Sequence, residues 1–381
     1  MDRNGLRPSR YTLTKDDRLI MASEAGALPI DPALAVEKGR LQPGKIFVLD
    51  MKKGRIIRDE ELKNTICTNK PYRKWLLQYK MHLSELLAPP IPPKRIADPV
   101  MLRQRQQLFG ITSEELKMVL SPMAQSGKEP IGSMGADTPL AILSNQSQHI
   151  SHYFKQQFAQ VSNPPIDPIR EKLVMSLQTW IGSSKNVLAE SPEGCKQICL
   201  PHPILTGLEF EKIRQIRHPD YQSVILDSTF ALGERLESAI DRLCEEADAA
   251  LVNNINVLII SDRNVGPERA PVPALLAVGA VHHHLIRKGD RGLATLILET
   301  GEAREVHHFA TLIGYGALAI HPYMAYESIH EYSYRDPQLA GKPIPEIQQN
   351  YINAIEYGLR KVLSKMGIST LQSYHGAMIF E

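Results

Sequence analysis

The second half of the chain alternates short apolar runs of strand length with longer stretches of helical periodicity. The pattern predicts, in order, a strand at 223–226, a helix at 232–250, a strand at 257–261, a helix at 273–287, a strand at 294–299, a helix at 305–314 and a strand at 317–320. Repeated strand–helix units favour parallel strands with helices packed outside them. We therefore predict an α/β fold, either half of a β/α barrel or a related open sheet.

The first third of the chain has a different pattern, which predicts short strands and helices separated by turns. An apolar run at 45–49 and a second run at 55–57, joined through Lys53-Gly54, predict a β-hairpin. Helical spacing covers 59–87, with an interruption at Lys70-Pro71. The proline-rich stretch 88–98 predicts an extended connector and a first domain boundary. Beyond it we predict helices at 101–109 and 112–124, the second opening with a capping box at Thr112.

Two motif-like stretches lie between these halves. Residues 128–144 read KEPIGSMGADTPLAILS, in which Ser133 and Met134 stand between Gly132 and Gly135. Such a turn can offer backbone N–H donors and a polarizable thioether to a ligand, although a tight connection needing two glycines is the simpler explanation. Residues 160–177 read QVSNPPIDPIREKLVMSL and predict an extended entry into a helix capped by Asp167.

Composition narrows the classes of function. The 381 residues are 43% hydrophobic and 23% charged, which is ordinary for a globular protein of two or three domains. A net charge of +2 gives no electrostatic footprint for nucleic acid. No apolar run approaches the roughly 20 residues that span a bilayer, and the first residues lack the apolar core of a signal peptide. We expect a cytoplasmic or organelle-matrix protein whose four cysteines are reduced structural thiols: Cys67, Cys195, Cys199 and Cys244.

Polar residues follow three of the predicted strands. Asp227, Asp262 and Glu299 stand at or next to strand ends, where barrel enzymes bind their ligands. Acid, base or metal-ligand roles would require the three carboxylates to converge in one pocket. Capping of the following helices is the more common use of such residues. Both interpretations stay open at this point.

Histidines are concentrated in the last third. His282, His283 and His284 are consecutive on a predicted helix, so their side chains point about 100° apart and cannot share one ion. His307 and His308 near a helix start could bind an anion or polarise a carbonyl, yet packed imidazoles are more frequent. We predict no metal site and no catalytic residue, because the carboxylate spacing of metal sites and the nucleophile and phosphate-binding motifs are missing.

Long stretches of this sequence resemble glutamate synthase, the iron–sulfur flavoenzyme that makes glutamate from 2-oxoglutarate and the amide nitrogen of glutamine. Besides 128–144 and 160–177, the similarity rests on DRNGLRPSRY (2–11), SEAG (23–26), LQPGKIFVLD (41–50), SDRN (261–264), AVGAVHHHLI (277–286), ETGEAREVHHFATLIGYGALAI (299–320), HPYMAYESI (321–329) and KVLSKMGISTLQSYHGAMIFE (361–381). The resemblance implies the end of a glutamine amidotransferase domain at 1–62, a helical and proline-rich connector at 63–99, the central domain at 100–345 and the start of an FMN-binding β/α barrel at 350–381. The expected fold is then an incomplete TIM-type, β/α-barrel-like central domain with short pieces of its neighbours.

The resemblance also implies chemistry. The family hydrolyses glutamine at an N-terminal cysteine, channels ammonia, and reduces 2-iminoglutarate with FMN and a 3Fe–4S cluster, using ferredoxin or a pyridine-nucleotide-dependent small subunit as electron source. The resemblance implies a cytoplasmic location for this chain, or the plastid stroma if it comes from a photosynthetic eukaryote. Here Met1 is followed by Asp2 rather than the nucleophilic cysteine, and a cysteine trio for a cluster is missing. We therefore expect this chain to be part of such an enzyme, inactive alone, and to retain neither cofactor firmly.

By the same resemblance, Ser133, Met134 and Gly135 are expected beside the FMN and 2-oxoglutarate pocket. Three alternatives remain: a non-catalytic scaffold or ammonia-tunnel module, a truncated inactive product, and a stand-alone enzyme that uses Asp227, Asp262 and Glu299. Both ends, 1–62 and 351–381, are expected to expose apolar edges, because each would lack most of its parent domain.

Overall fold

The computed structural model describes residues 8–93, 98–132, 140–159, 165–184, 186 and 188–381. The chain divides into two compact units, residues 1–78 and 79–381. Within the described residues, none of the helices is both long enough and apolar enough to cross a membrane.

The first unit is built from small antiparallel sheets and helices. Its strands are β1 Arg10–Thr14, β2 Leu19–Ala22, β3 Ala35–Arg40, β4 Val48–Asp50 and β5 Arg55–Ile57, and its helices are α1 Asp59–Thr68 and α2 Tyr72–Tyr79, with a 3₁₀ turn at Pro32–Leu34. β1 is central in a three-stranded sheet of order β2-β1-β3, and β4 pairs with β5 as the predicted hairpin. The helical prediction for 59–87 is confirmed only to Tyr79, because Lys80–His82 forms a strand of the second unit.

The second unit holds the remaining elements. Its strands are β6 Lys80–His82, β7 Thr179–Ile181, β8 Gln197–Leu200, β9 Ser223–Asp227, β10 Thr229–Ala231, β11 Val257–Ser261, β12 Arg269–Pro271, β13 Thr295–Glu299 and β14 Ala319–His321. Its α-helices are α3 Pro99–Leu108, α4 Ser113–Glu115, α5 Ser121–Ser126, α6 Glu171–Val174, α7 Gly207–Arg214, α8 Leu236–Val252, α9 Ala274–Lys288, α10 Val306–Gly314, α11 Tyr323–Ser333, α12 Ile344–Met366 and α13 Leu371–Tyr374. A π-helical turn, Leu116–Leu120, joins α4 to α5, and 3₁₀ turns occupy Leu83–Glu85, Ala141–Leu143, Ile150–Tyr153, Pro192–Cys195 and Arg291–Leu293.

A four-stranded parallel sheet of order β14-β13-β11-β9 forms the centre of the second unit. Every residue of β11 and β13 is buried, as expected for strands covered by helices on both faces. The backbone of 203–205 extends the sheet beyond β14, since Leu205 N–H donates to Ile320 O (2.8 Å). The predicted mixed α/β class with a parallel sheet and alternating helices is therefore confirmed.

Parallel pairing brings the carboxyl ends of these strands to one edge. Ser261 at the end of β11 lies between Asp227 of β9 and Glu299 of β13 in the register, and Glu299 in turn pairs with His321 of β14. The side chains that the sequence placed at strand ends thus lie along one edge, which we call the carboxyl edge.

The C-terminal residues are part of the main core. Among the described helices α12 is the longest, and it buries ten of its residues; Leu371, Tyr374 and Ile379 beyond it are also buried. Their apolar side chains belong to the same hydrophobic cluster as the sheet and its helices. The expectation of an exposed apolar edge at 351–381 is therefore wrong, because this segment completes the core of the second unit.

Candidate functional site

The loop that the sequence singled out, Ser133, Met134 and Gly135, lies outside the described residues, as does the stretch 160–164. Of the second motif, Asp167 is described. Its carboxylate accepts hydrogen bonds from the N–H groups of Ile169 (3.1 Å) and Arg170 (3.1 Å), while the helix itself begins at Glu171. Asp167 therefore caps a turn that precedes the helix, and the predicted helix start is early by three residues.

At the carboxyl edge, Asp227 is engaged in local structure. Its Oδ1 accepts hydrogen bonds from the N–H (2.9 Å) and the hydroxyl (2.7 Å) of Thr229, and its Oδ2 accepts from Asn264 Nδ2 (3.1 Å). Although burial raises the pKa of Asp227, the bonds from Thr229 and Asn264 outweigh it and lower the pKa overall. Asp227 is thus an ionised residue that fixes the turn into β10.

Asp262 directly follows β11 and is 2% exposed. Its carboxylate accepts a hydrogen bond from the Thr300 hydroxyl (2.6 Å) and from the N–H of Gly301 (3.1 Å). Burial raises the pKa of Asp262 to about 7, against the lowering effect of these donors. Asp262 therefore ties the end of β11 to the loop after β13.

Glu299, the last residue of β13, faces a cavity. Its Oε2 accepts a hydrogen bond from the Ser261 hydroxyl (2.6 Å), and its Oε1 lies 3.7 Å from Nη1 of Arg263. Burial raises the pKa of Glu299, and Arg263 opposes that shift. Of the three carboxylates predicted from strand ends, Glu299 lines a described cavity, whereas Asp227 and Asp262 serve as caps. The three do not converge, so the stand-alone enzyme alternative loses its basis.

Two adjoining cavities open at this edge. The outer cavity has a volume of about 540 Å³ and the inner cavity about 70 Å³. Both are lined by Pro93, Gly207, Arg263 and His321. The outer cavity has the size of a small-molecule site. The inner cavity is the part that reaches Ser261 and Glu299.

His321 forms part of the wall between sheet and helix α7. Its Nδ1 lies 3.0 Å from the carbonyl oxygen of Leu205, and its ring stacks on Phe210 with centroids 4.7 Å apart. Burial lowers the pKa of His321 to about 3, so the imidazole is neutral. Because a carbonyl can only accept, Nδ1 carries the proton and Nε2 is a hydrogen-bond acceptor.

Arg263 is the cation of the site. Its guanidinium carbon lies 4.3 Å from the centre of the Tyr323 ring, and its nitrogens lie 3.7 Å from Glu299 and 3.9 Å from Glu327. Arg263 lies two residues after the end of β11, in the sequence stretch SDRN. The spacing of apolar residues does not predict that a charged side chain folds back over the end of its own strand. The role of Arg263 and His321 in one site was therefore missed.

A second group of polar residues lies away from the cavities. The rings of His149 and His308 are 4.3 Å apart, and His149 Nε2 lies 3.7 Å from Oε2 of Glu302. His308 Nδ1 accepts backbone N–H bonds from Glu305 (3.3 Å) and Arg304 (3.4 Å), so its proton is on Nε2 and that atom cannot ligate a metal. Burial lowers the pKa of His149 to about 4 and that of His308 well below its usual value, and burial raises that of Glu302 to about 7.

Three further histidines contact other parts of the second unit. Nε2 of His307 contacts the carbonyl oxygens of Ser151 (3.0 Å) and Phe154 (3.1 Å), which fixes that segment. His282 accepts a hydrogen bond from Arg291 Nε (2.8 Å), while His284 pairs with Asp248 (2.9 Å) on another helix. The three consecutive imidazoles thus point to different surroundings, as predicted. Across the described part of the chain, no group of three or more His, Cys, Asp or Glu residues is arranged to hold a metal ion.

Comparison with known families shows that the chain is similar to synthases that contain a glutamine amidotransferase domain. The model of the glutamate synthase central domain matches residues 104–381, and that of class-II glutamine amidotransferases matches residues 1–75. The chain belongs to the glutamate synthase family.

Individual relatives agree over the full length of the chain. It is 45% identical over 382 residues to the large chain of the NADPH glutamate synthase of Bacillus subtilis, 44% over 393 residues to the NADH glutamate synthase of Schizosaccharomyces pombe, and 42% over 393 residues to the chloroplastic ferredoxin-dependent glutamate synthase of Oryza sativa. In each case all of this chain is covered, but only 24%, 19% and 24% of the relative. The chain thus spans about a fifth to a quarter of the length of these relatives.

Among solved structures, the flavin-binding domain of baker's yeast flavocytochrome b2 overlaps 36% of this chain and 32% of its own, at 9% identity and a TM-score of 0.29. That score is below the level that indicates a shared fold.

Proposed function

We propose that this chain serves in the reductive synthesis of L-glutamate from 2-oxoglutarate and glutamine-derived ammonia, as the central-domain region between the two active sites of a glutamate synthase. The observation that carries the proposal is 41–45% identity to glutamate synthases over the whole chain, together with the central-domain match over 104–381. The relatives' names include NADPH, NADH and ferredoxin forms at similar identity, so the electron donor is left open.

The finer assignments belong to the same proposal. Residues 1–62 would end an amidotransferase domain, 63–99 would connect it, 100–345 would be an incomplete β/α barrel, and 350–381 would begin the FMN barrel. FMN and the 3Fe–4S cluster would be held by other parts of the enzyme, which would also be the partners of this region. The cytoplasm, or the plastid stroma, is the compartment that suits this chemistry.

The described structure supports a connecting role. β11 and β13 are buried along their length, and α12 carries the chain from the sheet to its C-terminal residues within one hydrophobic core. An interior packed in this way has low compressibility, so it can keep two sites at a fixed separation. The carboxylates at the strand ends mostly serve as caps, which agrees with a domain that supports chemistry done elsewhere.

The loop of Ser133, Met134 and Gly135 would contact the FMN and 2-oxoglutarate pocket. Two glycines allow close backbone approach to a ligand, and the thioether of Met134 suits a flat, polarizable ring or keto acid. In this proposal the loop contributes backbone donors and contact area, and a reacting group is not assigned to it.

A segment exchange tests the proposal. The 382 aligned residues of the Bacillus subtilis large chain would be replaced by this chain, and glutamate formation from glutamine and 2-oxoglutarate would be measured. We expect glutamate to form, and we expect Met134→Ala to raise the KM for 2-oxoglutarate while glutamine hydrolysis stays unchanged. The control is Met118→Ala, at an exposed position on the π-helical turn.

Two outcomes would separate the alternatives. An exchanged enzyme that is active but indifferent to Met134→Ala and Ser133→Ala would support a scaffold or tunnel module whose loop does not contact the ligand. An exchanged enzyme that folds, hydrolyses glutamine and makes no glutamate would contradict the proposed function.

A further inference from the structure

One segment of the second unit exposes many of its apolar side chains. We call the described residues of 140–177 the covering segment; they are 140–159 and 165–177. Six of its apolar side chains are more than half exposed: Leu140, Ile142, Leu143, Phe158, Ile169 and Leu173. Single exposed apolar residues are normal on a protein surface, but a concentration of them in one place marks an interaction surface.

The other side of the covering segment is fixed on helices α10 and α12. Nε2 of His307 on α10 lies 3.0 Å from the carbonyl oxygen of Ser151. The N–H of Ile166 donates to Ser364 O on α12 (2.9 Å), and the Ser364 hydroxyl donates to the Glu171 carboxylate (2.8 Å). Because these bonds hold the segment in place, its exposed side chains have a defined outward position.

The exposed residues on either side of the gap belong to neighbouring stretches. The side chain of Gln156 (3.1 Å) and the backbone N–H of Ile166 (2.9 Å) both donate to carbonyl oxygens of the turn 362–364 of α12. Phe158 follows the first of these attachments by two residues, and Ile169 follows the second by three. Two stretches of the covering segment thus lie side by side over one turn of α12, and each carries an exposed apolar side chain.

Charge is depleted over the same part of the chain. Among residues 140–169 only Lys155 and Asp167 are charged, whereas 23% of the whole chain is charged. Few charges together with exposed aliphatic and aromatic side chains are typical of the core of a protein–protein interface. The outer face of the covering segment therefore fits an apolar protein surface better than a charged ligand.

The position of the C-terminal residues indicates which protein part covers this face. Residues 155–157 pair antiparallel with 379–381: the Lys155 N–H donates to Glu381 O (2.8 Å), and the Glu381 N–H donates to Lys155 O (2.9 Å). In the proposed synthase the FMN-binding part continues from Glu381, so it would begin at the covering segment. A part tethered there has a far higher effective concentration at this face than a separate protein. The aligned residues make up 24% of the Bacillus subtilis large chain, so enough polypeptide remains to cover the face.

We propose that the outer face of the covering segment is the surface on which the FMN-binding part of the same polypeptide docks, with Phe158, Ile169 and Leu173 buried in the contact. The identity of this partner rests on the proposed function. The apolar face itself rests on the exposure, attachment and charge of the described residues.

Cysteine labelling tests the docking without requiring turnover. Phe158→Cys and Leu173→Cys would be made in the chain alone and in the exchanged Bacillus subtilis large chain, and maleimide labelling of each peptide would be followed by mass spectrometry. We expect both positions to label at least about ten-fold more slowly in the exchanged large chain, because a covered thiol reacts only in the fraction of molecules that is locally open. Equal labelling rates in the two proteins would overturn the proposal.

The control is Val252→Cys at the end of α8, since Val252 and Phe158 are both 82% exposed. It should label at the same rate in the two proteins. Benzoylphenylalanine in place of Phe158 then identifies the partner by photo-cross-linking. We expect cross-linked peptides from the part of the large chain that follows residue 381, and cross-links to the amidotransferase part or to a second copy would contradict the assignment.

Leu173→Asp tests the apolar contact itself. Docking would bury the new carboxylate without a partner, so labelling at Phe158→Cys in the exchanged large chain should rise toward the rate in the chain alone. Val252→Asp should leave that rate unchanged, and neither change should shift the unfolding midpoint of the chain alone, because both side chains are exposed. A rate at Phe158→Cys that stays low in Leu173→Asp would argue against docking on this face.

The labelling outcome and the catalytic outcome are separable. An exchanged large chain that makes no glutamate but protects positions 158 and 173 would contradict the proposed function and support the docking face. One that makes glutamate while both positions label freely would contradict the docking face alone.

Discussion

At the scale of single residues, burial decides what each polar side chain does. Asp227 and Glu299 are the last residues of β9 and β13, and Asp262 directly follows β11, yet one is an ionised cap, one is buried with a pKa of about 7 and one faces a cavity. The sequence predicts that acids stand at strand ends, because strand and helix periodicity locates those ends. The sequence does not predict which of the three acids lies at a cavity. That depends on the side chains around each acid, such as His321, which is distant in the chain, and Arg263, which folds back over the end of β11.

Asp262 gives a pH-dependent prediction. Its folded pKa of about 7 is above the unfolded value of 3.8, so the folded chain holds the proton more tightly and stability falls as pH rises between these values. Asp262→Asn removes this loss, and we expect its stability relative to wild type to increase by at least about 1 kcal/mol between pH 5 and pH 8, since one pKa unit is worth about 1.4 kcal/mol.

The measurement is denaturant unfolding at several pH values, with Asp227→Asn as the control. The folded pKa of Asp227 is lowered, so its charged form contributes stability above pH 3.8 that is lost as pH falls through the folded pKa. The control should therefore be most destabilising at neutral pH. A parallel pH profile for both variants would contradict the account.

Gly316 provides a steric prediction. It has φ of +113°, and a Cβ there would stand 2.2 Å from Nδ1 of His282, which itself accepts from Arg291. Gly316→Ala should cost about 3 kcal/mol or more, from backbone strain plus displacement of His282. Gly289→Ala shares the positive φ (+82°) but meets open space, so it should cost about 1 kcal/mol. Chemical denaturation of both variants checks the difference, and equal losses would argue against the His282 contact.

At the scale of elements, the β/α pattern was the part of the fold that the sequence predicted well. The strand predicted at 257–261 is β11 to the residue, and the helix predicted at 305–314 is α10 within one residue. Both elements have a regular pattern of apolar residues, and residues that interrupt helices or strands stand at their ends. The pattern failed at 80–82, where helical spacing continues but pairing of β6 with β8 more than a hundred residues later decides the conformation.

α12 offers a prediction at this scale. Ile355 is fully buried on the face that packs into the core, whereas Gln349 on the same helix is exposed. Ile355→Ala should lower the free energy of unfolding by about 2–5 kcal/mol, and Gln349→Ala should change it by less than about 0.5 kcal/mol. Thermal unfolding of the two variants tests whether α12 belongs to the same cooperative unit as the sheet. A loss below about 1 kcal/mol for Ile355→Ala would mean that it does not.

At the scale of the whole molecule, the family could be predicted from the sequence because the motifs that resemble it, such as NPPIDPIRE, are long and uninterrupted. The structure divides into compact units at 1–78 and 79–381, whereas the domain bounds given by the sequence, at 62–63 and 99–100, stay a prediction. The chain covers about a fifth to a quarter of its relatives, so its activity is a property to be measured within a complete synthase.

The most direct test of the account is the yield of glutamate from 2-oxoglutarate per glutamine hydrolysed in the Bacillus subtilis large chain that carries this chain in place of its 382 aligned residues. If this region joins the two active sites as proposed, the yield should match that of the unmodified enzyme. Hydrolysis of glutamine at the normal rate, with ammonia released to solvent and no glutamate formed from 2-oxoglutarate, would contradict it.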